Sequence, residues 1–271
     1  MSFRDRWVLV TGASSGLGRA MTAILAREHR ANIIAVARRA NLLAELRREI
    51  ESSAAVRVEP IVADMAKSDE VEGVLRQVTH ERRIYAAVLN AGVTHFGNYD
   101  ELPWRDFETM LHVNVTSTVR LTTGLLPHLE QTGEGGGVML VASMAGITPV
   151  PYQAAYSGTK AFLVHFGCSL WYELQGKNVS VTTYAPGGIV TEMTAGASFE
   201  PLRKWLMPVD AAAREGIEAF RTRKYLHVPG TTNRIGTALL KLLPQRAVTS
   251  RVGAVYRRAL EQTRKRLIRE E

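Results

Sequence analysis

Short apolar runs, rich in valine, isoleucine and alanine, alternate with longer segments of helical periodicity along most of this chain. The predicted strands are Trp7–Val10, Asn32–Ala37, Val56–Ile61, Tyr85–Leu89, Val138–Ala142, Val179–Tyr184 and Tyr225–Val228. The predicted helices run from the first glycine-rich turn to about His29, and over about Asn41–Ser52, Ser68–Glu81, Trp104–Glu130 and Ala154–Leu174. Strands that alternate with helices in this way pair in parallel and are covered on both faces. With right-handed crossovers, the pattern predicts an α/β, doubly wound fold with a seven-stranded parallel sheet.

Composition supports a globular protein inside the cell. The chain has 271 residues, of which 46% are hydrophobic and 22% charged, which is ordinary globular usage. Its single cysteine, Cys168, cannot form an internal disulfide, so a reducing compartment is expected. No segment has the length and apolarity of a signal sequence or a membrane span, and no cysteine–histidine cluster suggests a metal. We therefore predict a cytoplasmic protein without a bound metal.

Positive charge is concentrated at the C-terminal end. Residues 234–271 contain ten basic and three acidic side chains, so they carry +7 of the formal net charge of +8. No linker divides the preceding part of the chain. We predict one domain over residues 1–233 and a basic amphipathic helical tail over residues 234–271.

A glycine-rich turn follows the first predicted strand. Its sequence is Thr11-Gly12-Ala13-Ser14-Ser15-Gly16-Leu17-Gly18. Glycines allow a sharp turn from strand to helix and let the backbone approach a pyrophosphate, while the new helix offers free N–H groups. This position, between a strand and a helix, indicates a dinucleotide site more strongly than the glycines alone would.

Two arginines stand where such a domain usually selects its cofactor. Arg38 and Arg39 follow the second strand, about 20 residues after the glycine turn. An acidic residue there would bind the ribose hydroxyl of NAD, whereas a guanidinium fork suits a 2′-phosphate. No acidic residue occupies positions 36–40, and Ser14 offers a further hydroxyl. NADP(H) is therefore the predicted cofactor.

A tyrosine and a lysine four residues apart suggest acid–base chemistry. Tyr156 and Lys160 share one face of a predicted helix, so their phenol and ammonium groups lie close together. A nearby positive charge favours the phenolate, so we expect Lys160 to lower the pKa of Tyr156. Ser143 directly follows a strand, at the sheet edge where ligands bind, and its hydroxyl could bind the substrate oxygen.

Taken together in this order, the motifs resemble the short-chain dehydrogenase/reductase family over about residues 6–230. Besides the turn, the motifs are Asp64, Asn90-Ala91-Gly92, Asn114, Ser143, Tyr156, Lys160 and Pro186-Gly187. One departure is Leu89, where many members carry a second asparagine. The resemblance implies that residues 1–233 form a Rossmann-type NADP-binding catalytic domain. It also implies a catalytic tetrad of Asn114, Ser143, Tyr156 and Lys160. In it the tyrosine exchanges a proton with the substrate oxygen, the serine orients that oxygen, and the lysine binds the nicotinamide ribose. The asparagine helps to hold a water molecule.

The resemblance also implies further cofactor contacts. Asp64 and Met65 would contact the adenine, and Asn90, Ala91 and Gly92 would line the cleft. Ile189 and Thr191 would meet the nicotinamide amide, beside Pro186 and Gly187. The complete predicted cofactor set is Gly12, Ser14, Ser15, Gly16, Leu17, Gly18, Arg38, Arg39, Asp64, Met65, Asn90, Ala91, Gly92, Tyr156, Lys160, Pro186, Gly187, Ile189 and Thr191. Members of the family often assemble through their long helices, so a homodimer or homotetramer is expected.

Two later segments bear on substrate and partners. In the family the region between Thr191 and Pro208 forms a lid, and its apolar residues here are Met193, Phe199, Leu202, Trp205, Leu206 and Met207. These side chains favour a hydrophobic substrate, although an amphipathic helix packed on the domain would show the same pattern. His95, Phe96, Met144 and Tyr152 are further candidates for the pocket wall.

The tail has two apolar stripes, one on each side of Pro244. The first is Ile235, Ala238, Leu239, Leu242 and Leu243, and the second is Val248, Val252, Val255, Ala259 and Leu260. The tail either packs on the domain or a partner subunit, or lies on an anionic membrane as a peripheral contact. Nucleic acid is not a predicted partner, since no aromatic residues are interleaved with the charges.

These observations lead to one main hypothesis and two alternatives. The main hypothesis is an NADP(H)-dependent oxidoreductase that interconverts a carbonyl and a secondary alcohol on a small hydrophobic substrate, with Tyr156 as the acid/base. Within the same family, a 3-oxoacyl thioester reductase is the alternative that also suits an apolar lid. From another class, the alternative is a non-catalytic NADP-binding sensor or scaffold that uses the tail to reach a membrane or partner.

Overall fold

The structure is a computed structural model that describes residues 1–80, 84–240 and 242–270. Its strands are β1 Trp7–Thr11, β2 Asn32–Ala37, β3 Val58–Val62, β4 Ile84–Leu89, β5 Gly137–Val141, β6 Ser180–Tyr184 and β7 Leu226–His227. Its helices are α1 Gly16–Arg27, α2 Ala40–Ser53, α3 Ser68–His80, α4 Trp104–Leu111, α5 Ser117–Thr132, α6 Ala154–Glu173, α7 Val209–Arg221, α8 Thr231–Leu240 and α9 Gln245–Glu270.

The seven strands form one parallel sheet in the order β3-β2-β1-β4-β5-β6-β7. The order reverses between β1 and β4, which opens a crevice at the carboxyl ends of these two strands. Every residue of β4 and β5 is buried, as expected for central parallel strands with helices on both faces. The predicted doubly wound, seven-stranded parallel fold is confirmed.

Two apolar layers hold the helices on the sheet. On one face, Met21 and Leu25 of α1 and Ile217 of α7 pack against Val8 and Val10 of β1. On the other face, α3 and α5 pack against Leu9, Ile34 and Val138. Leu9 points away from Val8 and Val10 because successive side chains of a strand lie on opposite faces of the sheet. Each such side chain contributes roughly 1.5–3 kcal/mol when fully buried, so both apolar layers stabilise the sheet.

The predicted helix over Trp104–Glu130 is interrupted, and this is the main local correction. It ends as α4 at Leu111, passes through a π-helical turn at His112–Thr116, and continues as α5. The hydroxyl of Ser117 donates to the carbonyl oxygens of His112 at 2.7 Å and Met65 at 2.6 Å. These bonds compensate for the widened turn, which is the kind of helix irregularity often found at functional sites.

The other differences are boundary shifts. The third strand begins at Val58 instead of Val56, and the seventh is limited to Leu226–His227. The third helix ends at His80, and its predicted last residue, Glu81, lies outside the described residues.

The C-terminal segment forms two helices with opposite environments. The stripe on α9 faces inward, with Val248, Ala259 and Leu260 buried. The stripe on and after α8 is exposed at Ile235, Leu239, Leu242 and Leu243. Within the described residues, no helix is both long enough and apolar enough to cross a membrane. Because α8 begins at Thr231, the proposed boundary between residues 233 and 234 falls inside a helix, and the division into two parts stays a prediction.

Candidate active site

The glycine turn lies at the crevice between β1 and β4. Gly12 and Gly16 have positive φ angles of 68° and 52°, which a residue with a side chain rarely adopts. At Gly18, a Cβ atom would stand 2.2 Å from the carbonyl oxygen of Gly12, so this position requires glycine for close packing. The first turn of α1 contains no acidic residue, and the Ser15 side chain does not cap it. Its N–H groups therefore remain available to an anion.

Side chains at the strand ends join this turn to the neighbouring strand. The hydroxyl oxygen of Thr11 accepts from the backbone N–H groups of Asn90 at 3.0 Å and Ala91 at 3.1 Å. The Asn90 amide in turn donates to the Thr11 carbonyl at 3.1 Å. Thr11 thus aligns the ends of β1 and β4, a role that the strand pattern alone does not indicate.

The two arginines after β2 lie at the edge of the same crevice. Arg39 has one guanidinium nitrogen 3.4 Å from the Ser14 hydroxyl and another 3.0 Å from a carboxylate oxygen of Glu192. Arg38 is exposed beside it. The three predicted phosphate ligands, Ser14, Arg38 and Arg39, therefore share one end of the crevice.

A continuous cavity of about 590 Å³ extends from the glycine turn past the ends of β4, β5 and β6. Every predicted cofactor residue except Gly18 lines it: Gly12, Ser14, Ser15, Gly16, Leu17, Arg38, Arg39, Asp64, Met65, Asn90, Ala91, Gly92, Tyr156, Lys160, Pro186, Gly187, Ile189 and Thr191. Gly18 lies just behind the wall. The topology thus brings together residues from six segments that are distant in sequence.

Lys160 is a buried cation in this cavity. Only 4% of its surface is exposed, and its ammonium donates to the carbonyl oxygen of Val141 at 2.9 Å. Within the described residues it forms no ion pair, so burial lowers the pKa of Lys160 to about 8. A buried ammonium with one neutral partner retains donor capacity, which a ligand hydroxyl can use.

Tyr156 lies one helical turn from this cation, with the Lys160 Nζ atom 5.8 Å from the phenol ring centre. Burial raises the pKa of Tyr156, the nearby hydroxyl of Ser143 opposes the rise, and Tyr256 reinforces it. The expected lowering of the Tyr156 pKa is therefore not found in the protein alone, where the net shift is upward. The reason is that desolvation of the phenolate is the largest contribution to the shift.

Ser143 follows β5 and lies beside the phenol of Tyr156. Its oxygen accepts from the backbone N–H of Ala145 at 3.1 Å, and its hydroxyl is 3.4 Å from the carbonyl oxygen of Pro186. The second bond is long, so a substrate oxygen can compete for this hydroxyl proton. Ser143, Tyr156 and Lys160 all line the cavity.

Asn114 occupies the π-helical turn, behind the cavity wall. Its amide donates to the carbonyl oxygen of Val93 at 2.9 Å and to the Thr159 hydroxyl at 3.0 Å, and its oxygen accepts from the Val93 N–H at 2.9 Å. It therefore connects the loop after β4 to α6, next to Lys160. Its predicted role in holding a water molecule stays a prediction.

Comparison with known proteins identifies the family. A family model described as short chain dehydrogenase matches residues 6–200. The chain belongs to the short-chain dehydrogenase family. It is an oxidoreductase of this family, and the resemblance inferred from the motifs is confirmed. The match ends before α8 and α9.

Two curated relatives and one solved structure illustrate the similarity. An uncharacterized oxidoreductase from Myxococcus xanthus is 38% identical over 200 residues, which cover 73% of this chain and 77% of the relative. Sulfoacetaldehyde reductase 2 from Chromohalobacter salexigens is 35% identical over 189 residues, which cover 69% and 74%. A short-chain dehydrogenase from Sphingobium yanoikuyae in complex with NADPH has a TM-score of 0.80 and 25% identity, covering 87% of this chain and 92% of that one.

In this family member, the apolar part of the cavity is enclosed by the segment 191–208, which we call the lid segment. It contains 3-10 turns at Glu192–Thr194 and Ala197–Trp205. The residues of this segment that were predicted from its apolar pattern and that line the cavity are Met193, Phe199, Leu202, Trp205 and Leu206. Met207 instead packs against the apolar layer that contains α1 and α7. The lid segment is therefore part of the pocket wall.

The remaining pocket candidates divide between two cavities. Met144 lines the main cavity. His95 and Tyr152 line an adjacent cavity of about 530 Å³, which also reaches Tyr156. Phe96 packs against the lid residue Phe199, with ring centres 5.0 Å apart.

Residues of the tail also reach the site, which the sequence analysis missed. Leu240 of α8 and Val252, Val255 and Tyr256 of α9 line the main cavity. The available signal was the helical spacing of Tyr256, four residues after Val252. Among the described residues, no group of histidine, cysteine and acidic side chains is arranged to hold a metal ion.

Proposed function

We propose that this protein is an NADP(H)-dependent oxidoreductase that interconverts a carbonyl and a secondary alcohol on a hydrophobic substrate. The observation that carries the proposal is the buried ammonium of Lys160, unpaired by any described carboxylate, beside Tyr156 and Ser143 in one cavity with the glycine turn. Three such groups would cost stability without a functional use, since burying them in an apolar setting is unfavourable.

The residues of the cavity fit NADP(H). The N–H groups of the glycine turn would hold the pyrophosphate, and Ser14, Arg38 and Arg39 the 2′-phosphate. Lys160 would donate to the nicotinamide ribose. A side chain at Gly92 would come within 3.3 Å of the Asn114 oxygen and 3.5 Å of the Lys160 ammonium, so glycine keeps this part of the cleft open. The NADPH complex of the structural relative supports this assignment.

The other predicted contacts complete the site. Asp64 and Met65 would contact the adenine, and Asn90 and Ala91 would line the cleft with Gly92. The nicotinamide amide would be met by Ile189 and Thr191, next to Pro186 and Gly187. When bound, the nicotinamide supplies or accepts the hydride.

The residues of the chain would supply the proton. In the reductive direction, which NADPH favours, the Tyr156 hydroxyl transfers its proton to the substrate oxygen, and the Ser143 hydroxyl orients that oxygen. The phenolate that remains is stabilised by the ammonium of Lys160. Because burial raises the pKa of Tyr156, the phenol is protonated at neutral pH and ready to act as the acid.

Apolar surroundings define the proposed substrate class. The lid segment and α9 contribute Phe199, Leu206, Val252 and Val255 to the part of the main cavity beside Tyr156, which we call the apolar chamber. Burial of apolar surface would supply most of the binding free energy. A 3-oxoacyl thioester, whose acyl chain suits the same surface, is the alternative substrate.

The test is NADPH oxidation by the purified protein with apolar ketones, aldehydes and a 3-oxoacyl thioester. Tyr156→Phe should reduce kcat/KM by at least about a thousandfold, consistent with loss of acid catalysis, while NADPH binding is retained. Tyr172→Phe is the matched control, since Tyr172 is 76% exposed on the same helix. An unchanged rate in Tyr156→Phe would remove Tyr156 from the mechanism. If no probe is reduced although NADPH binds, the non-catalytic alternative is favoured.

We further propose peripheral contact with an anionic membrane through the tail. Residues 231–260 contain six basic and no acidic side chains, and the stripe on α8 is exposed. Exposed apolar residues flanked by cations suit an anionic lipid surface. Sedimentation with phosphatidylserine-containing vesicles should fall in Leu239→Glu/Leu242→Glu, with neutral vesicles as the control. Equal sedimentation of wild type and variant would contradict the proposal.

Association into a homodimer or homotetramer is proposed through the long helices. Leu111 of α4 and Phe162 of α6 are large apolar side chains that are 42% and 45% exposed. Burial of such residues favours association. Light scattering after size exclusion should show an oligomer for the wild type and dissociation for Phe162→Glu. A monomeric wild type would contradict this proposal.

A further inference from the structure

Tyr256, on the C-terminal helix, is a polar group in the apolar chamber that the proposed reaction does not use. Its ring packs edge-on against Phe96, with ring centres 5.3 Å apart, and Phe96 in turn packs against Phe199 of the lid segment. The three rings come from the loop after β4, the lid segment and α9. This contact holds the Tyr256 ring against the chamber that it lines.

The helix that carries Tyr256 contacts the domain on both sides of this residue. Arg264 forms an ion pair with Glu101, which in turn caps the 3-10 turn at Tyr99–Glu101. Near the middle of the helix, a side chain at Gly253 would stand 3.0 Å from the ring of Pro151, so the two segments are in close contact there. The position of Tyr256 is thus set by contacts on both sides of it.

The hydroxyl group of Tyr256 lacks a hydrogen-bond partner within the described residues. Burial raises the pKa of Tyr256, so the group is an O–H donor at neutral pH. A phenylalanine could make the same ring contact with Phe96, so packing does not account for the hydroxyl, which is on the part of Tyr256 that lines the chamber. Tyr156 and Tyr256 both line the same cavity, so the two phenols lie around one chamber.

We propose that Tyr256 is a substrate-binding residue that donates a hydrogen bond to a second oxygen of the substrate, separate from the oxygen that reacts at Tyr156. The inference rests on the proposed function and makes the substrate class narrower: a bulky, apolar ketone or alcohol that carries a further hydrogen-bond acceptor. Val252 and Val255, on the same face of α9, contact the apolar body of such a molecule. The tail therefore contributes to specificity.

The test uses matched pairs of ketones with the same carbon skeleton. Decalone and decalindione form one pair, and a steroid-sized monoketone and diketone form the other. Tyr256→Phe removes only the hydroxyl, and Tyr256→His restores a ring N–H donor. Tyr172→Phe, far more exposed, is the control. For each protein, kcat and KM are measured with NADPH, and ketone binding is titrated calorimetrically in the presence of NADP⁺.

The expected result is a loss confined to the diketones. Tyr256→Phe should raise their KM about three- to tenfold, the equivalent of one neutral hydrogen bond, with kcat and the KM of the monoketones within about twofold. Tyr256→His should recover part of the loss. Equal effects on both members of each pair, or no effect, would overturn the proposal.

The calorimetric titration distinguishes failure of the proposed reaction from failure of the inference about Tyr256. If no ketone is reduced, a diketone-selective loss of affinity in Tyr256→Phe still supports the role of Tyr256, although the proposed function fails. Affinities that are equal for wild type and variant, or absent for all four ketones, overturn the inference.

Discussion

Arg39 and Glu192 form an ion pair across the opening of the cofactor crevice, with 3.0 Å between a guanidinium nitrogen and a carboxylate oxygen. The pair joins the end of β2 to the first residues of the lid segment. The same guanidinium lies 3.4 Å from the Ser14 hydroxyl. A group proposed to bind the 2′-phosphate is therefore shared with a carboxylate, and phosphate binding must compete with Glu192.

Removing this carboxylate should strengthen NADPH binding. In Glu192→Gln we expect the Kd for NADPH to fall about two- to fivefold, because both side chains are largely exposed and such pairs contribute about 0–1 kcal/mol. Calorimetry at low and high salt checks it, since screening should reduce the difference. Glu200→Gln, whose carboxylate pairs only with Arg203 among the described ion pairs, is the control. An identical change for NADH would show that the 2′-phosphate is not involved.

Cofactor preference should depend on Arg38. Arg38→Asp replaces a proposed phosphate donor by a like charge, so we expect kcat/KM for NADPH to fall at least about tenfold. The value for NADH should be unchanged or rise. Steady-state kinetics with both cofactors measures the ratio. Arg48→Asp, which makes the same charge change on the exposed side of α2, should leave the ratio unchanged. A ratio that does not move in Arg38→Asp argues against NADP(H) selection at this position.

The buried ammonium of Lys160 should make the stability of the protein depend on pH. Its pKa is about 8 in the folded protein and 10.5 in the unfolded chain. Between these values the unfolded state binds more protons at this group, so Lys160 contributes a rise in the free energy of unfolding from pH 8 to 10.5, measured as the difference between wild type and Lys160→Met. Near pH 10 the buried tyrosines Tyr156, Tyr184 and Tyr256, whose pKa values are raised, contribute in the opposite direction. The rise amounts to roughly 3 kcal/mol at about 1.4 kcal/mol per pKa unit.

Lys160→Met should remove this rise, abolish activity and make the protein more stable than wild type at pH 7. The gain should be about 1–2 kcal/mol, since the Val141 carbonyl loses its donor. Urea unfolding between pH 7 and 10.5 measures both effects. Lys177→Met, a surface lysine paired with Glu130, should keep the wild-type pH dependence. A variant that unfolds more easily than wild type at pH 7 would contradict the argument.

Asn114 should contribute strongly to stability. Its side chain makes three hydrogen bonds that connect the loop after β4 to α6. Asn114 is fully buried, and Asn114→Ala leaves the Val93 backbone groups and the Thr159 hydroxyl without this partner, so we expect a loss of about 2–4 kcal/mol in the free energy of unfolding. Urea unfolding tests this. Thr109→Ala, a half-buried position of α4 whose hydroxyl makes only an exposed bond to the Arg105 carbonyl, should change it by less than about 0.5 kcal/mol. A loss below about 1 kcal/mol in Asn114→Ala would show that water replaces these bonds.

Patterns of local sequence were sufficient for the sheet and for most of the site. Seven apolar runs indicated the strands because central parallel strands are buried on both faces, and carboxyl ends of such strands meet at one edge. Glycine spacing and the four-residue interval between Tyr156 and Lys160 are local properties of a turn and a helix. They were therefore predictable from the chain alone, as was membership of the family.

Other features depend on contacts between distant segments. The π-helical turn that carries Asn114 is accompanied by a bond from Ser117 to Met65, a long-range contact that no periodicity shows. The direction of the pKa shift of Tyr156 depends on how completely the folded chain excludes water from the phenol. Such burial is a property of packing, not of the spacing between two residues.

In the tail, too, some features follow from the local sequence and others depend on tertiary contacts. Its sequence determined two amphipathic helices and their charge, because helical spacing and composition are local. Only the tertiary structure decided that the stripe on α9 faces the chamber, with Tyr256 against Phe96, while the stripe on α8 faces outward. The physical reason is that an apolar face can be buried against any complementary surface, and the surface it meets is created only when distant parts of the chain fold together.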